Sequence, residues 1–250
     1  MPSPATISII IASFNDASRL QLAINSVLSQ NVPNLELIVI DGASKDGTVP
    51  LLQSYGKRIA SWLSEPDEGI YDAWNKGISL ASGDWIGFIG ADDSFRSHAI
   101  AVYQDYLSIS SDLDYISSRI CLRYGSSSMR IIGQPWSWPQ FRRFMNVAHV
   151  GSLHHRNLFE KYGTFNPQLR ICGDYEFLLR AGSALRTAFV DDILLDMAAG
   201  GVSESSALSI FESYQVKRKA KSVNAFQAAF DFCEALVKWH LRRMILLLTR

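Results

Sequence analysis

The side chains best placed to do chemistry are carboxylates that follow apolar runs. Asp92 and Asp93 come one residue after Trp85-Ile86-Gly87-Phe88-Ile89-Gly90, a short apolar and aromatic stretch with Ser82-Gly83 before it and Ser94 beyond. Such a run reads as a buried strand, so the two acids sit just past its carboxyl end. In open α/β sheets ligands bind at that edge, and adjacent carboxylates there repel unless a cation or a cluster of donors offsets them. A hard divalent ion, Mg2+ or Mn2+ carrying a diphosphate, is the economical partner. The other reading is a solvated acidic turn in which Asp93 or Ser94 caps the next helix. Asp41 holds a similar position after Leu35-Glu36-Leu37-Ile38-Val39-Ile40. A carboxylate there can accept hydrogen bonds from a nucleobase or ribose, or it can cap a turn. Asp174 opens a helical pattern holding Phe177, Leu178 and Ala181, and the macrodipole at a helix start keeps a carboxylate ionised, which suits a base and equally a cap.

The elements that must carry these acids alternate strand and helix. Ile7 to Ala12 is an almost unbroken β-branched run, the pattern of a parallel strand buried on both faces, and it closes on Ser13-Phe14-Asn15-Asp16. Leu20, Ile24, Val27 and Leu28 then recur at helical spacing, and the second strand runs into the loop Asp41-Gly42-Ala43-Ser44-Lys45-Asp46-Gly47-Thr48. That is a βαβ unit. The loop contains neither G-x-G-x-x-G nor a P-loop, which argues against dinucleotide or P-loop binding. Helices are expected over 49–55 and 70–81, the second with Tyr71, Asp72, Trp74, Asn75 and Lys76 crowded into its first turns. Further expectations are a helix holding Ile100, Tyr103, Leu107 and Ile109, separate strands at Asp114-Tyr115-Ile116 and 119–124, a loop or flap over 125–139, and a late strand over 188–196 followed by Ala199-Gly200-Gly201-Val202-Ser203. His149, His154 and His155 form no H-E-x-x-H or Cys/His cluster and read as satisfied or solvated rather than metal-binding.

Composition narrows the class. In 250 residues the chain has 24 basic and 24 acidic side chains, so no global charge favours nucleic acid or membrane and any such preference must be local. Cys121, Cys172 and Cys233 are widely spaced with no C-x-x-C, which indicates neither a disulfide framework nor a zinc site and fits a reducing, cytoplasmic compartment. The start of the chain lacks a basic, then long apolar, leader.

Four segments together resemble glycosyltransferase family 2, the inverting nucleotide-sugar transferases of GT-A fold, over Ile7 to about Ser203. Ser13-Phe14-Asn15 resembles the end of the family's first strand, and Asp41 to Thr48 resembles its D-x-x-S-x-D-G-T loop. Glu65-Pro66-Asp67-Glu68-Gly69-Ile70-Tyr71-Asp72-Ala73-Trp74-Asn75-Lys76-Gly77 is similar to the E-P-D-x-G-x-Y-D-A-x-N-K-G block of a branch that assembles bacterial polysaccharides. Gly90-Ala91-Asp92-Asp93 stands where the family often reads D-A-D-D, so the first aspartate is absent; Trp74 replaces a common arginine, and glycine replaces the glutamate that usually precedes Asp174.

The resemblance implies an α/β GT-A fold, a single Rossmann-like, mostly parallel twisted sheet flanked by helices. It implies a catalytic domain over 1–205, with nucleotide-sugar binding in about 1–95 and the acceptor part in about 96–205, and a C-terminal helical extension over 206–250. Asp92 and Asp93 would hold Mn2+ or Mg2+, and Ser13, Asn15, Asp41, Asp72, Asn75, Lys76 and Asp92 would contact the nucleotide sugar, a UDP-sugar by preference. Asp174 would be the base for a hydroxyl of a glycan or polyprenyl-linked acceptor. Competing classes are a sugar-phosphate nucleotidyltransferase, against which the lack of a Gly- and Arg-rich phosphate loop after Ile11 argues, and a non-catalytic binding protein on the same scaffold.

The tail has its own pattern. Phe230, Cys233, Val237, Leu241, Met244 and Leu248 recur at spacings of three and four, with Gln227, Asp231, Glu234, Lys238 and Arg242 on another face. This is an amphipathic helix. Lys217, Arg218, Lys219, Lys221, Lys238, Arg242, Arg243 and Arg250 concentrate basic charge there. Two uses stay open: peripheral docking on the inner face of the cell membrane, or packing on the catalytic domain or a second copy.

Overall fold

The computed structural model describes residues 5–110, 112–125, 128–201, 207–220 and 223–248. Val202, Ser203, Lys221 and Arg250 lie outside the described residues, as do the side chains of Arg242, Arg243 and Leu248. Strands β1 (Ile7–Ser13), β2 (Leu35–Asp41), β3 (Ser61–Ser64) and β4 (Trp85–Gly90) form a parallel block in the order β3-β2-β1-β4. Connecting helices α1 (Ala17–Leu28), α2 (Thr48–Tyr55) and α3 (Ile70–Leu80) cover it. The run of isoleucines in β1 follows from burial on both faces: Ile7, Ile9 and Ile11 pack with Leu20 and Ile24 of α1 and Leu52 of α2, while Ile10 packs with Ala73, Trp74 and Ile78 of α3. Gly77 permits the second contact, since a Cβ there would lie 2.4 Å from the Ile10 side chain.

The sheet becomes mixed beyond β4. It adds β5 (Ser94–Phe95), β6 (Tyr115–Tyr124), β7 (Ser128–Ile132), β8 (Leu153–His155) and β9 (Thr187–Ala198), nine strands among the described residues. Strand β8 is antiparallel to both β4 and β6, β6 is parallel to β9, and β5 closes antiparallel on β9. The two short strands expected at 114–116 and 119–124 are one strand, β6, whose pairing with β9 shifts register at Ser118 and Arg119; the irregularity is what breaks the alternation in the sequence. The stretch expected as a loop or flap holds β7, hydrogen-bonded to β6, and the start of a helical turn at Trp138–Phe141. Strand β8 escapes the pattern because it is three residues long and carries two histidines.

The remaining helices are α4 (Ala99–Ile109), α5 (Trp138–Phe141), α6 (Arg156–Tyr162), α7 (Gly173–Ala181), α8 (Leu208–Lys219) and α9 (Ala225–Leu248). The tail helix α9 exists, and it packs by a mixed side: Ala228 is fully buried, and Phe232 lies against Tyr214 with ring centroids 4.9 Å apart. Asp231, with a fully buried side chain, accepts from Arg143 Nε at 3.0 Å and Lys217 Nζ at 3.1 Å, and Glu234 accepts from Arg143 Nη2 at 2.9 Å. The apolar stripe, Phe226, Phe230, Val237, Leu241 and Met244, faces out. No described helix is long and apolar enough to cross a membrane.

Two of the three histidines depart from expectation. His149 and His154 are buried, their rings 4.8 Å apart and enclosed by Trp74, Phe88, Phe159 and Phe165. Among the described residues neither ring nitrogen of His149 meets a hydrogen-bond partner, nor does Nε2 of His154. Burial holds both neutral, pushing His149 down to about 3 and His154 well below the usual imidazole range. Aromatic packing accounts for their place, with a single polar tie from His154 Nδ1 to Ile86 O at 3.3 Å.

Candidate active site

The carboxyl ends of the parallel strands open onto a cleft of about 490 Å³. Ala12, Ser13 and Phe14 from the end of β1 form one wall, Gly42 after β2 the floor, and Pro66 to Ile70 with Arg170 the opposite side. Phe14 is 66% exposed, an aromatic face available for stacking. The Asp67 carboxylate leans over Gly42, where a Cβ would come within 2.7 Å of it, and also accepts from Gly69 N–H at 2.9 Å. Burial raises the Asp67 carboxyl above the usual range, partly offset by that N–H. Gly69 has φ +130°, a conformation other residues rarely adopt, and from it α3 starts with its N-terminus at the cleft. The buried Ser13 Oγ, also at the cleft, meets no hydrogen-bond partner among the described residues.

The predicted nucleotide contacts divide into those that face the cleft and those that build it. Asp41 is fully buried, and its oxygens accept from Ser44 N–H at 3.0 Å, Ser44 Oγ and Ser64 Oγ at 2.6 Å. It orders the loop after β2 and leaves no exposed surface of its own. Asn15, at φ 50°, ties this loop to β1: its N–H donates to Ser44 Oγ at 2.7 Å and its Oδ1 accepts from Lys45 N–H at 2.9 Å. Lys76 donates to Pro66 O at 2.7 Å and pairs with Glu65 at 2.9 Å and Asp72 at 3.3 Å, while Asp72 accepts from Glu68 N–H at 3.1 Å. Asn75 makes a reciprocal pair with the backbone of Phe165, both bonds 2.9 Å. Asp72, Asn75 and Lys76 thus knit the wall of the cleft to α3 and to the 165 loop.

The acidic pair after β4 is also divided. Gly90 is in register with Ala12 of β1, so Asp92 follows β4 at the same sheet edge as the cleft, outside its lining, and it is the more exposed acid, 3.3 Å from Arg19 Nη1. Asp93 is buried and accepts from Gly90 N–H at 2.7 Å. Burial, with Asp92 beside it, pushes the Asp93 carboxyl up to about 7 against the pull of that N–H. Both carboxylates crowd the place where Gly90 lacks a side chain, with oxygens 3.0 and 3.1 Å from a Cβ built there. No group of three metal-type side chains occurs among the described residues. One exposed hard carboxylate nevertheless fits a Mg2+-type ion, which is commonly held by one or two carboxylates together with substrate phosphates and water.

Asp174 sits in the first turn of α7, across α3 from the cleft. Tyr71 of α3 reaches it, its hydroxyl 3.2 Å from Asp174 Oδ1 and 2.5 Å from Ile171 O. Gly173 makes the approach possible, because a Cβ there would come within 2.7–2.8 Å of the Tyr71 ring. That is the physical reason glycine stands before this aspartate. Burial raises the Asp174 carboxyl to about 6, while Tyr175 N–H at 2.8 Å and the Tyr71 hydroxyl pull it back. A carboxylate in that range is suited to take a proton near neutrality. The turn before it is fixed from α8: Glu212, buried, accepts from the N–H groups of Arg170, Ile171 and Cys172 at 2.9, 2.9 and 3.0 Å.

Comparison with known proteins bears on this geometry. Residues 8–165 match the family described as Glycosyl transferase family 2. The chain belongs to glycosyltransferase family 2. An uncharacterized glycosyltransferase of Mycobacterium tuberculosis is 32% identical over 213 residues, covering 81% of this chain and 78% of that protein. A PGL/p-HBAD biosynthesis glycosyltransferase of Mycobacterium bovis is 29% identical over 211 residues, 79% of each chain. Among solved structures, TarS 1-349 of S. aureus in complex with UDP-GlcNAc superposes with TM-score 0.72 at 16% identity, over 92% of this chain and 71% of that one. A mannosyltransferase from Pyrobaculum calidifontis, in complex with GDP-Man and Mn2+, gives TM-score 0.66 at 16% identity, over 99% and 80%. In another TarS structure this chain matches 43% of the length. The mixed sheet flanked by helices is thus the GT-A fold, and the protein is a glycosyltransferase.

Several residues of this glycosyltransferase that matter in the structure are not singled out by sequence. Phe14 and Asp67 lie inside motifs that mark the family, and their exposure at the cleft is what distinguishes them from neighbours. Tyr71 carries the same kind of signal, in the block that starts α3. Glu212 and Arg19 carry none, since each acts across the fold from outside any motif. A second crevice, about 640 Å³, lies between α7 and α8, but its central charges, Arg180 and Glu176, pair with each other at 2.9 Å.

Proposed function

We propose that this glycosyltransferase transfers a sugar from a nucleoside diphosphate sugar to a hydroxyl of a glycan or polyprenyl-linked acceptor, with inversion. The observation that carries the proposal is the cleft at the carboxyl ends of β1 and β2, with an exposed aromatic face and a carboxylate at one end and a carboxylate held near 6 behind its far wall. The base would stack on Phe14, and Asp67 would accept from a ring N–H, which uracil and guanine both offer. Asp41, Asn15 and Ser44 shape this end, and Ser13 backs it with a buried Oγ that has no partner among the described residues. Asp72, Asn75 and Lys76 contribute by holding the wall and the N-terminus of α3, whose dipole favours a diphosphate.

Asp92 would hold the divalent ion, Mn2+ or Mg2+, with Asp93 supporting it through the Gly90 turn. When bound, the ion supplies charge neutralisation for the departing nucleoside diphosphate. Arg19, now paired with Asp92, would turn to the phosphates. Asp174 would accept the proton of the acceptor hydroxyl at its carboxylate as that oxygen attacks from the face opposite the leaving group. A UDP-sugar is the donor we favour, and the binding of UDP-GlcNAc by TarS 1-349, a protein of similar fold, supports that reading. A polyprenyl-linked acceptor, as in cell-surface polysaccharide synthesis, would be met at the cytoplasmic face of a membrane. The donor part would comprise about 1–95 and the acceptor part about 96–205.

The test is donor binding and turnover with a panel of UDP- and GDP-sugars, with Mn2+ and with EDTA. Asp92→Ala should abolish metal-dependent turnover. Undiminished transfer in excess EDTA would overturn the role given to Asp92, and failure of every nucleotide sugar to bind would overturn the donor reading.

A further inference from the structure

We propose that the outward face of α9 docks on the surface of an anionic lipid bilayer, with the helix lying in the plane of the interface. Phe226, Phe230, Val237, Leu241 and Met244 are 92, 63, 58, 49 and 55% exposed, and Cys233 shares their face. Singly exposed apolar residues are ordinary, but a continuous stripe of large ones marks an interaction surface. The helix cannot hide this stripe by rolling. Its opposite side is pinned by Asp231 and Lys217, whose side chains are 0 and 3% exposed, together with Arg143 and Glu234. Rolling would leave buried charges without partners, which is strongly unfavourable.

Shape and charge select the bilayer over other occupants. At 24 residues the helix is about 36 Å long, and no described helix is apolar enough to cross a membrane. A strip of that length and about 10 Å width, paired with its copy, buries about 700 Å², below the roughly 1,200 Å² of a stable specific interface. A lipid surface sets no such threshold and needs no matching contour. Residues 206–250 hold eight basic and three acidic side chains, although the whole chain balances at 24 and 24. The three acids, Glu212, Asp231 and Glu234, are all engaged by protein groups. Arg218, Lys219 and Lys238 are exposed. Lys238 is bonded to Glu234 and lies over the Phe144 ring, on the side of α9 that packs, so the exposed cations left for headgroups among the described residues of the tail are Arg218 and Lys219 of α8. The proposal rests on the proposed function only for its purpose, access to a lipid-linked acceptor, since the binding itself needs no sugar nucleotide.

The experiment is sedimentation of the whole protein with vesicles of phosphatidylcholine, with and without phosphatidylglycerol, at low and high salt. It compares the wild type with Phe230→Glu/Val237→Glu and, as a milder change at the most exposed position, Phe226→Glu. Melting temperature and light scattering without vesicles report fold and mass for each. The wild type is expected to pellet with the anionic vesicles, and its partition coefficient to fall by about tenfold or more in high salt or in the double variant, with melting unchanged. If the double variant melts early, the same comparison is read from Phe226→Glu. Equal recovery of wild type and variants in the supernatant would overturn the proposal, as would equal binding to vesicles without phosphatidylglycerol. A wild-type dimer that the variants dissociate, with no vesicle binding by either, would assign the stripe to a second copy instead. Because no donor is present, loss of docking and failure of the transferase reading are separate results.

Discussion

Replacing Tyr71 with phenylalanine should move the acid limb of the pH–rate profile upward while leaving the alkaline rate almost intact. Burial raises the Asp174 carboxyl to about 6, and the Tyr71 hydroxyl at 3.2 Å is one of the groups opposing that rise. A hydrogen bond to a charged group contributes about 1.5 kcal/mol, so its loss should raise Asp174 by about one further pH unit. At pH 5.5 the ionised fraction would drop from about 0.24 to about 0.03, an eightfold loss of kcat/KM, and the deficit should nearly vanish above about pH 8. The assay is transfer from the nucleotide sugar at sub-saturating donor and acceptor from pH 5 to 9, with Asp174→Asn as the comparison expected to lose about 10² to 10⁴ at every pH. The hydroxyl has one proton and two acceptors, Asp174 and Ile171 O. If the proton resides on the Ile171 bond, the variant removes a lone pair facing the carboxylate and the limb shifts down. A downward or absent shift, or an equal loss at all pH, would refute the reasoning.

Other outcomes follow from buried groups outside the cleft. His149 is held neutral by burial, its folded value depressed to about 3, so its contribution to stability is complete above about pH 6.5 and is lost as pH falls. Urea denaturation at pH 7 and pH 5 should show the wild type losing about 2 kcal/mol more than His149→Phe. Asp93 and Asp174, raised by burial, act in the opposite sense but are common to both proteins, so parallel pH dependence would count against this account. Glu212→Gln turns an amide donor toward backbone N–H groups and should cost about 3 kcal/mol in denaturation midpoint analysis. It should also lower kcat while sparing donor affinity, and a variant with wild-type kcat would show that the turn before Asp174 does not depend on it.

Local pattern alone determined the parallel block of strands β1 to β4 in this protein. Strands β1, β2 and β4 are legible because each is buried on both faces, which demands an unbroken apolar run, and because each run stops at a polar loop. Motif spacing carried the family and placed Asp92 and Asp174 at element ends. Side-chain direction was beyond it. Adjacent Asp92 and Asp93 are alike in sequence, yet one is exposed and the other is turned inward onto Gly90 N–H. Asn75 looks like a ligand contact, but its partner is the backbone of Phe165, 90 residues away. Glu212 meets three N–H groups, donors that every residue but proline owns and that no sequence pattern marks. The tail shows the division most sharply. Periodicity shows that one face of α9 is apolar and another charged, but which face is covered depends on what the rest of the fold presents there. Here it presents the buried Lys217, which needs a carboxylate once desolvated, beside the ring of Tyr214, so Asp231, Ala228 and Phe232 went inward and the larger apolar stripe was left outside.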